Sequence, residues 1–452
     1  MLCGRGERPP AKSLKGASIR TTDDKVETAP EAEAGSRFTT GEATRRRLQQ
    51  VALDLFRERG YQATTTRDVA AVIGVQQASL YYHMKTKEEL LHGICRSCFT
   101  KVVEGAEAAV ADASDPLAAF RAIGRSHLAI TLTYQKEFAV SLMECRALGP
   151  DYFAEIKALW ARYHMVTYDV MDKAKEAGTL RSDLPNKYMY VPLMCTLNWS
   201  VMWFRPGRGL TVPELNDIFE VSFFQGNAPM SLRRQFREAP PCRDLQFKAE
   251  LVTSRGTQSN HEMYAKLLDA ACALFARKGY HGTSLREIAD ALGIQKASLY
   301  YYIKSKEDLL YEISKAAIGH ISACVKDALT QVNTPAERLY AFIVAHVSSL
   351  LEHQNWHAAA NEELLTFPAD KRDKIVALRD EYEAQIRDLL HEAQQAGVLR
   401  SDISVKTLGM VLFGMITNIY PWYQPAIDLP PRQLGLTLAD LFMTGVVPFE
   451  QL

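Results

Sequence analysis

The stretch "QQASLYYHMKTKEELL", Gln76 to Leu91, returns almost unchanged as "QKASLYYYIKSKEDLL", Gln295 to Leu310. The register between the two copies holds far outside these residues. Gly60 pairs with Gly279, Gly74 with Gly293, Leu80 with Leu299 and Gly178 with Gly397, each at a difference of 219. "WFRP" at Trp203 to Pro206 meets "WYQP" at Trp422 to Pro425 at the same difference. A short motif shared by unrelated domains would lose its register within a few elements. The 452-residue chain is therefore a tandem duplication of one module, and each half has the usual domain size of roughly 100 to 200 residues.

Helical periodicity surrounds the repeated stretch. After "TRRR" at Thr44 to Arg47, the apolar residues Leu48, Val51, Ala52, Leu55 and Phe56 recur at helical spacing. Leu267, Ala270, Ala271, Leu274 and Phe275 repeat them in the second half. "TTTRDVAAVIGV" at Thr64 to Val75 reads as a helix capped by threonine and ended by Gly74, where a tight turn calls for a left-handed residue. A short helix follows at once. Helix, glycine turn and short helix make the helix-turn-helix plan. Further on, "FAEIKALWARYHMVTYDVMDKAKEAG" and "DKIVALRDEYEAQIRDLLHEAQQAG" keep the helical period up to Gly178 and Gly397. Strand alternation is almost missing, so the fold class is all-α: two tandem units, each a three-helix helix-turn-helix domain followed by a helical bundle.

The organisation that follows is a disordered tail at 1–40, helix-turn-helix domains at 41–91 and 260–310, and helical regulatory domains at 92–228 and 311–452. Residues 229–259 form a linker with one short helix, rich in proline and arginine. With 47% hydrophobic and 23% charged residues, composition is that of a soluble globular protein. No apolar run reaches the ~18 residues that span a membrane. The N-terminal stretch lacks the apolar centre of a secretory signal, so the expected location is the cytoplasm. Cysteines at 3, 95, 98, 145, 195, 242, 272 and 324 are too sparse for a disulfide framework.

Lys+Arg and Asp+Glu both number 53, so net charge neither supports nor excludes a nucleic-acid partner. The helix-turn-helix segments hold only small basic excesses, eight against six from Gly41 to Leu91 and seven against six from Glu262 to Leu310. That implies a narrow basic face. The short second helix would enter the major groove of double-stranded DNA. Gln77, Ala78 and Ser79 would then face base edges, while Tyr81, Tyr82 and Lys87 reach phosphates.

"ALDLFRERGYQATTTRDVAAVIGVQQASLYYHMKTKEELL" from Ala52 and "ACALFARKGYHGTSLREIADALGIQKASLYYYIKSKEDLL" from Ala271 each resemble the whole DNA-binding module of the TetR family of bacterial transcriptional regulators. The resemblance implies an operator-binding regulator, expected to repress, with a ligand-binding and dimerising bundle behind each DNA-binding domain. It implies DNA contacts from Thr66, Arg67, Gln77, Ser79, Tyr81, Tyr82, His83 and Lys87. In the second copy they fall on Arg286, Lys296, Ser298, Tyr300, Tyr301, Tyr302 and Lys306, with Ala297 beside them. Leu285 departs from the pattern, since its side chain cannot bond a phosphate. Family members with one copy act as homodimers; two copies on one linker are expected to pair within the chain as a covalent pseudo-dimer, with further self-association open.

Around "EAGTLRSDLPNKYMYVPLMCTLNWSVMWFRPGRGLT", from Glu176, the chain resembles regulators of fatty-acid and steroid catabolism, which implies an acyl-CoA or related apolar effector. Arg146, Arg205 and Arg208 are candidates for its phosphates, and Trp160, Tyr163, Trp199 and Trp203 for an apolar cavity; solvated arginines and core aromatics explain the same residues. No cofactor, metal site or catalytic set is read from the sequence. Cys95 and Cys98 form a lone pair without further ligands and read as packing. His353 and His357 sit four apart and read as solvent-exposed. A helical acyl-CoA-binding protein or enzyme with vestigial DNA-binding modules is the rival reading; retention of Tyr and Lys at the same places in both copies speaks against it.

Overall fold

The computed structural model describes residues 40–82, 84–243, 245–246, 258–362 and 367–448. The expected tail, save its last residue, and linker residues 247–257 lie outside them. The first module runs through α1 (Thr40–Arg59), α2 (Thr66–Ile73), α3 (Gln77–Leu80), α4 (Lys87–Ala111), α5 (Pro116–Thr133), α6 (Gln135–Glu144), α7 (Pro150–Glu176), α8 (Asn186–Trp203) and α9 (Val212–Glu220). A linker helix, α10 (Met230–Glu238), follows. The second module repeats the series as α11 (Gln258–Lys278), α12 (Leu285–Ala291), α13 (Lys296–Leu299), α14 (Lys306–Leu329), α15 (Pro335–Glu352), α16 (Gln354–Glu362), α17 (Ala369–Gln395), α18 (Val405–Thr417) and α19 (Pro431–Thr444). Among the described residues there is no strand.

Local chemistry sets the helix ends. Thr65 caps α2 in a reciprocal capping box: its hydroxyl accepts from Asp68 N–H at 3.2 Å while the Asp68 carboxylate accepts from Thr65 N–H at 2.7 Å. Ser284 and Glu287 do the same for α12. Thr86 and Ser305 cap the long helices α4 and α14. Such caps satisfy backbone donors that have no partner inside the helix.

The two modules meet through their regulatory bundles. Helix α8 packs along α18, and α10 lies against α19 with Phe236 on the Tyr340 ring at 5.8 Å. One hydrophobic core runs from the first helix-turn-helix domain through both bundles, whereas the second helix-turn-helix domain closes a core of its own with residues of α16. Backbone bonds cross the interface in matched pairs: Arg181 N–H donates to Val446 O at 2.9 Å, and Arg400 N–H donates to Asn227 O at 2.8 Å. Both donors and both acceptors are 219 residues apart, so the modules are related by a local two-fold. Gly226 and Gly445 cross where the two backbone segments come closest. Their φ angles are +82° and +73°, and a Cβ on Gly226 would meet Met443 O at 2.5 Å.

The ion pairs break this symmetry. The Arg181 guanidinium, only 4% exposed, donates to Asp440 at 2.8 Å and also bonds Asp183. Lys187 Nζ donates to both oxygens of Asp428 at 2.7 Å, and the Tyr188 hydroxyl accepts from Leu429 N–H. In the first module the counterpart of Asp440 is Val221 and that of Asp428 is Gly209. Two first modules facing each other would therefore lack both acids, whereas the second module keeps both bases, as Arg400 and Lys406. Removing one partner of a buried pair strands the other charge, at a cost of roughly 3 kcal/mol. Asp440→Ala is expected to lower the urea or thermal midpoint accordingly, and Arg181→Met combined with Asp440→Leu to recover most of the loss; a double variant no better than the single one contradicts the assignment.

Candidate nucleic-acid interface

Each recognition helix is a four-residue turn fastened at its end. Leu80 and Leu299 are buried in their domain cores and hold α3 and α13 in place. The residues around them point outward: Tyr82 is 89% exposed and Tyr301 74%, while Tyr81 and Tyr300 are each half exposed. Arg67 and Arg286 are exposed one residue into α2 and α12, and Ala78, Lys296, Ala297 and Ser298 are exposed on the short helices. Tyr302 is partly covered by the Tyr301 ring, 5.0 Å away. His83 and the Ser79 side chain lie outside the described residues. The structure thus brings Arg67, Ala78, Tyr81 and Tyr82 of the first copy, and Arg286, Lys296, Ala297, Ser298, Tyr300 and Tyr301 of the second, to the exposed surface of their domains. Rings so exposed are poor packing material and good stacking or phosphate-bonding groups.

The copies differ at one internal bond. Gln77 donates through Nε2 to the Thr66 hydroxyl at 2.9 Å, which fixes the amide and leaves its carbonyl end outward. In the second copy the two positions are Lys296 and Leu285, which can form no such bond. The lost polar contact at Leu285 and the change of reading group at Lys296 go together.

Lys87 and Lys306 require a correction. Expected on phosphates, their ammonium groups face inward: Lys87 Nζ donates to Tyr61 O at 2.7 Å and Thr64 O at 2.8 Å, and it sits 4.0 Å from the Tyr61 ring centroid. Lys306 repeats this on Tyr280 O, Thr283 O and the Tyr280 ring. Partial burial lowers the Lys87 pKa from its usual value, against the pull of Glu144. Each lysine ties the start of the long helix to the loop that precedes the helix-turn-helix. Thr64 and Thr283, buried and bonded to Gly60 O and Gly279 O at 2.9 Å, complete that clasp; periodicity alone did not single them out.

The expected effector residues are not gathered around one pocket. Arg146, Arg205 and Arg208 are all exposed, and Arg205 donates to Met202 O and Phe204 O beyond the end of α8, so no phosphate site is enclosed by them. Trp160 packs edge-on between Phe99 and Phe153. Tyr163 is buried with its hydroxyl 3.0 Å from His127 Nδ1. Trp199 and Trp203 are partly buried on α8, and Trp203 Nε1 is buried without a hydrogen-bond partner. Cys95 and Cys98 are buried on α4, where desolvation raises both thiols, Cys98 to about 12. His357 is also corrected: it is 4% exposed, because that face of α16 turns into the bundle. No helix of the described residues is long and apolar enough to cross a membrane.

A paired helix-turn-helix surface backed by all-helical bundles defines a DNA-binding regulator. The family described as "Bacterial regulatory proteins, tetR family" matches residues 48–94 and 267–313, and the "Tetracyclin repressor-like, C-terminal domain" matches 113–226 and 332–446. Known relatives align with about one module. The HTH-type transcriptional repressor KstR2 of Mycobacterium tuberculosis is 25% identical over 182 residues, 40% of this chain and 91% of its own length. The fatty acid metabolism regulator protein of Bacillus subtilis is 28% identical, over 40% of this chain and 95% of its own. KstR2 of Rhodococcus jostii is 30% identical, over 38% and 86%. Among solved structures, the regulator PfmR from Thermus thermophilus is 32% identical with a TM-score of 0.38, covering 40% of this chain and 97% of its own. The chain belongs to the TetR family and carries both of that family's domains twice.

The clasp has a measurable signature. Lys87→Ala and Lys306→Ala are each expected to destabilise their domain by about 1–2 kcal/mol, as hydrogen bonds from a half-buried charge do. The slope of operator affinity against salt should stay unchanged. A slope reduced by about one per lysine would return these side chains to the phosphates.

Proposed function

We propose that this protein is a ligand-responsive transcriptional repressor that binds one operator with the two helix-turn-helix surfaces of a single chain. The observation that carries the reading is the packing of the two modules against each other within one chain, where Arg181–Asp440 and Lys187–Asp428 cross a dimer-like interface and neither acid has a counterpart on the first module. Covalent linkage raises the effective concentration of the second module to about millimolar for a short connection, which favours this closure over pairing between chains. The relatives named as repressors support the direction of control. As a bacterial-type operator-binding regulator, it would act where the DNA lies, in the cytoplasm.

The effector we assign is an apolar acyl metabolite, a reading supported by the relative named for fatty acid metabolism and by the aromatic interior around Trp160, Phe99 and Phe153. The CoA portion of a thioester finds no enclosed site at Arg146, Arg205 or Arg208.

Two experiments address the DNA reading. Light scattering of the complex with a minimal operator should give one chain per site; two chains per site, each engaging one recognition helix, would refute the single-chain mode. Selection from random DNA should return an imperfect palindrome, because Gln77 is suited to adenine N6 and N7 while Lys296 is suited to guanine O6 and N7. Gln77→Lys should move the first half-site toward the second, with discrimination of about 1–3 kcal/mol at the altered base pair. Recovery of a perfect palindrome by the unaltered protein contradicts the assignment of these two residues.

A further inference from the structure

The regulatory bundles share a buried histidine and differ in what answers it. In the first, His127 on α5 is satisfied at both nitrogens, with Nδ1 3.0 Å from the Tyr163 hydroxyl and Nε2 3.1 Å from Asn198 Oδ1. In the second, His346 on α15 keeps its tyrosine, Tyr382, at 2.8 Å. Position 417, the counterpart of Asn198, is a threonine. His346 Nε2 and Thr417 Oγ1 are both buried and have no hydrogen-bond partner. If Tyr382 gives its hydroxyl proton to Nδ1, which satisfies both groups, the ring proton of the neutral imidazole lies on Nε2. Burial holds His346 neutral, lowering it to about 3. A donor thus stands in the bundle without an acceptor.

The neighbouring substitutions run the same way. Where the first module has Lys101, Phe138 and Trp160, the second has His320, His357 and Arg379. His357 is 4% exposed, and its Nε2 is also unpartnered. Burial above all disfavours charge on it, with smaller contributions from His346, His320, His353 and Arg379 nearby. His320 bonds Ser349 Oγ at 2.7 Å, with the His353 ring edge-on at 4.4 Å. Glu383 faces Arg379 and lies 4.0 Å from Arg387. Each unsatisfied buried polar group costs about 1–3 kcal/mol; His346, His357 and Thr417 carry that cost at positions whose counterparts, His127, Phe138 and Asn198, are satisfied or apolar, and so offer hydrogen bonds to a group the chain does not supply.

Resting on the regulator proposed above, we propose that the second bundle binds the carboxylate of a small effector at His346, His357 and Thr417, giving one such site per chain. The carboxylate oxygens accept from His346 Nε2–H and from the Thr417 hydroxyl, and the positive charge of Arg379 offsets the anion. Occupancy has a short route to DNA. The helix that carries His357, α16, also carries Trp356, whose Nε1 donates to Asp269 on α11 at 2.7 Å. Trp356, Ala359 and Ala360 are part of the core of the second DNA-binding domain, and Arg379 Nη2 donates to Ala360 O at 2.9 Å. A ligand that shifts α16 therefore shifts the first helix of that domain.

The test is thermal denaturation of the full chain with acetate, butyrate and octanoate, each against its matching primary alcohol, combined with gel shifts on the operator. At least one acid should raise the midpoint saturably, as a ligand of the native state must, and weaken operator binding by about ten-fold, while its alcohol does neither. Thr417→Asn, which hands His346 the acceptor that Asn198 gives His127, should raise the ligand-free midpoint and abolish both responses. His357→Phe, the first-module residue, should abolish them too. No response to any of the three acids, an equal response to the alcohols, or an undiminished response in Thr417→Asn overturns the proposal. Failure of the ligand-free protein to bind DNA would instead count against the regulator reading.

Discussion

The buried Arg181–Asp440 pair is the constraint on which the arrangement depends. The Arg181 guanidinium, 4% exposed, is held by Asp183 of its own module and by Asp440 across the interface, where another first module would offer only Val221. Desolvation makes such a pair a weak source of stability and a stronger source of selectivity, since pairing with another first module would leave buried Nη1 of Arg181 without its carboxylate. Lys187 and Asp428 add a second such bridge in the first turn of α8. Backbone bonds, in contrast, obey the local two-fold and would serve any pairing of modules. Symmetry of the backbone gives the shape of the interface, and asymmetry of the charges disfavours its occupation by two first modules.

The same division runs through both ends of each module. The DNA-binding domains share their caps, turn glycines and lysine clasps, and differ at Gln77 and Lys296, the positions proposed to read bases. The regulatory bundles share the histidine–tyrosine pair and differ in the groups around it. Duplication preserved what the fold needs and released what recognition needs.

Much of this was legible in the sequence because it is local. The constant difference of 219, the threonine caps and the glycine turns are properties of short windows, and they place the helix-turn-helix units on their own. Lys87 was not legible in the same way: a lysine at the head of α4 fits a phosphate contact equally well, and only folding brings the carbonyls of Tyr61 and Thr64 to it from 26 and 23 residues away. His357 was not legible either, because a nine-residue helix whose apolar residues are one tryptophan and three alanines does not announce how far its covered face extends. The interface charges were visible only as Asp440 against Val221, a difference that gains meaning once Arg181 is found opposite.

Closure of the interface within one chain also changes how the protein responds to its own abundance. A regulator assembled from two separate chains falls apart on dilution, so its active fraction depends on concentration. Here the crossing at Gly226 and Gly445 joins two parts of the same molecule, and assembly follows first-order statistics. A cell holding only a handful of copies would keep every one competent, and occupancy of the target would rise in proportion to gene dosage rather than to its square.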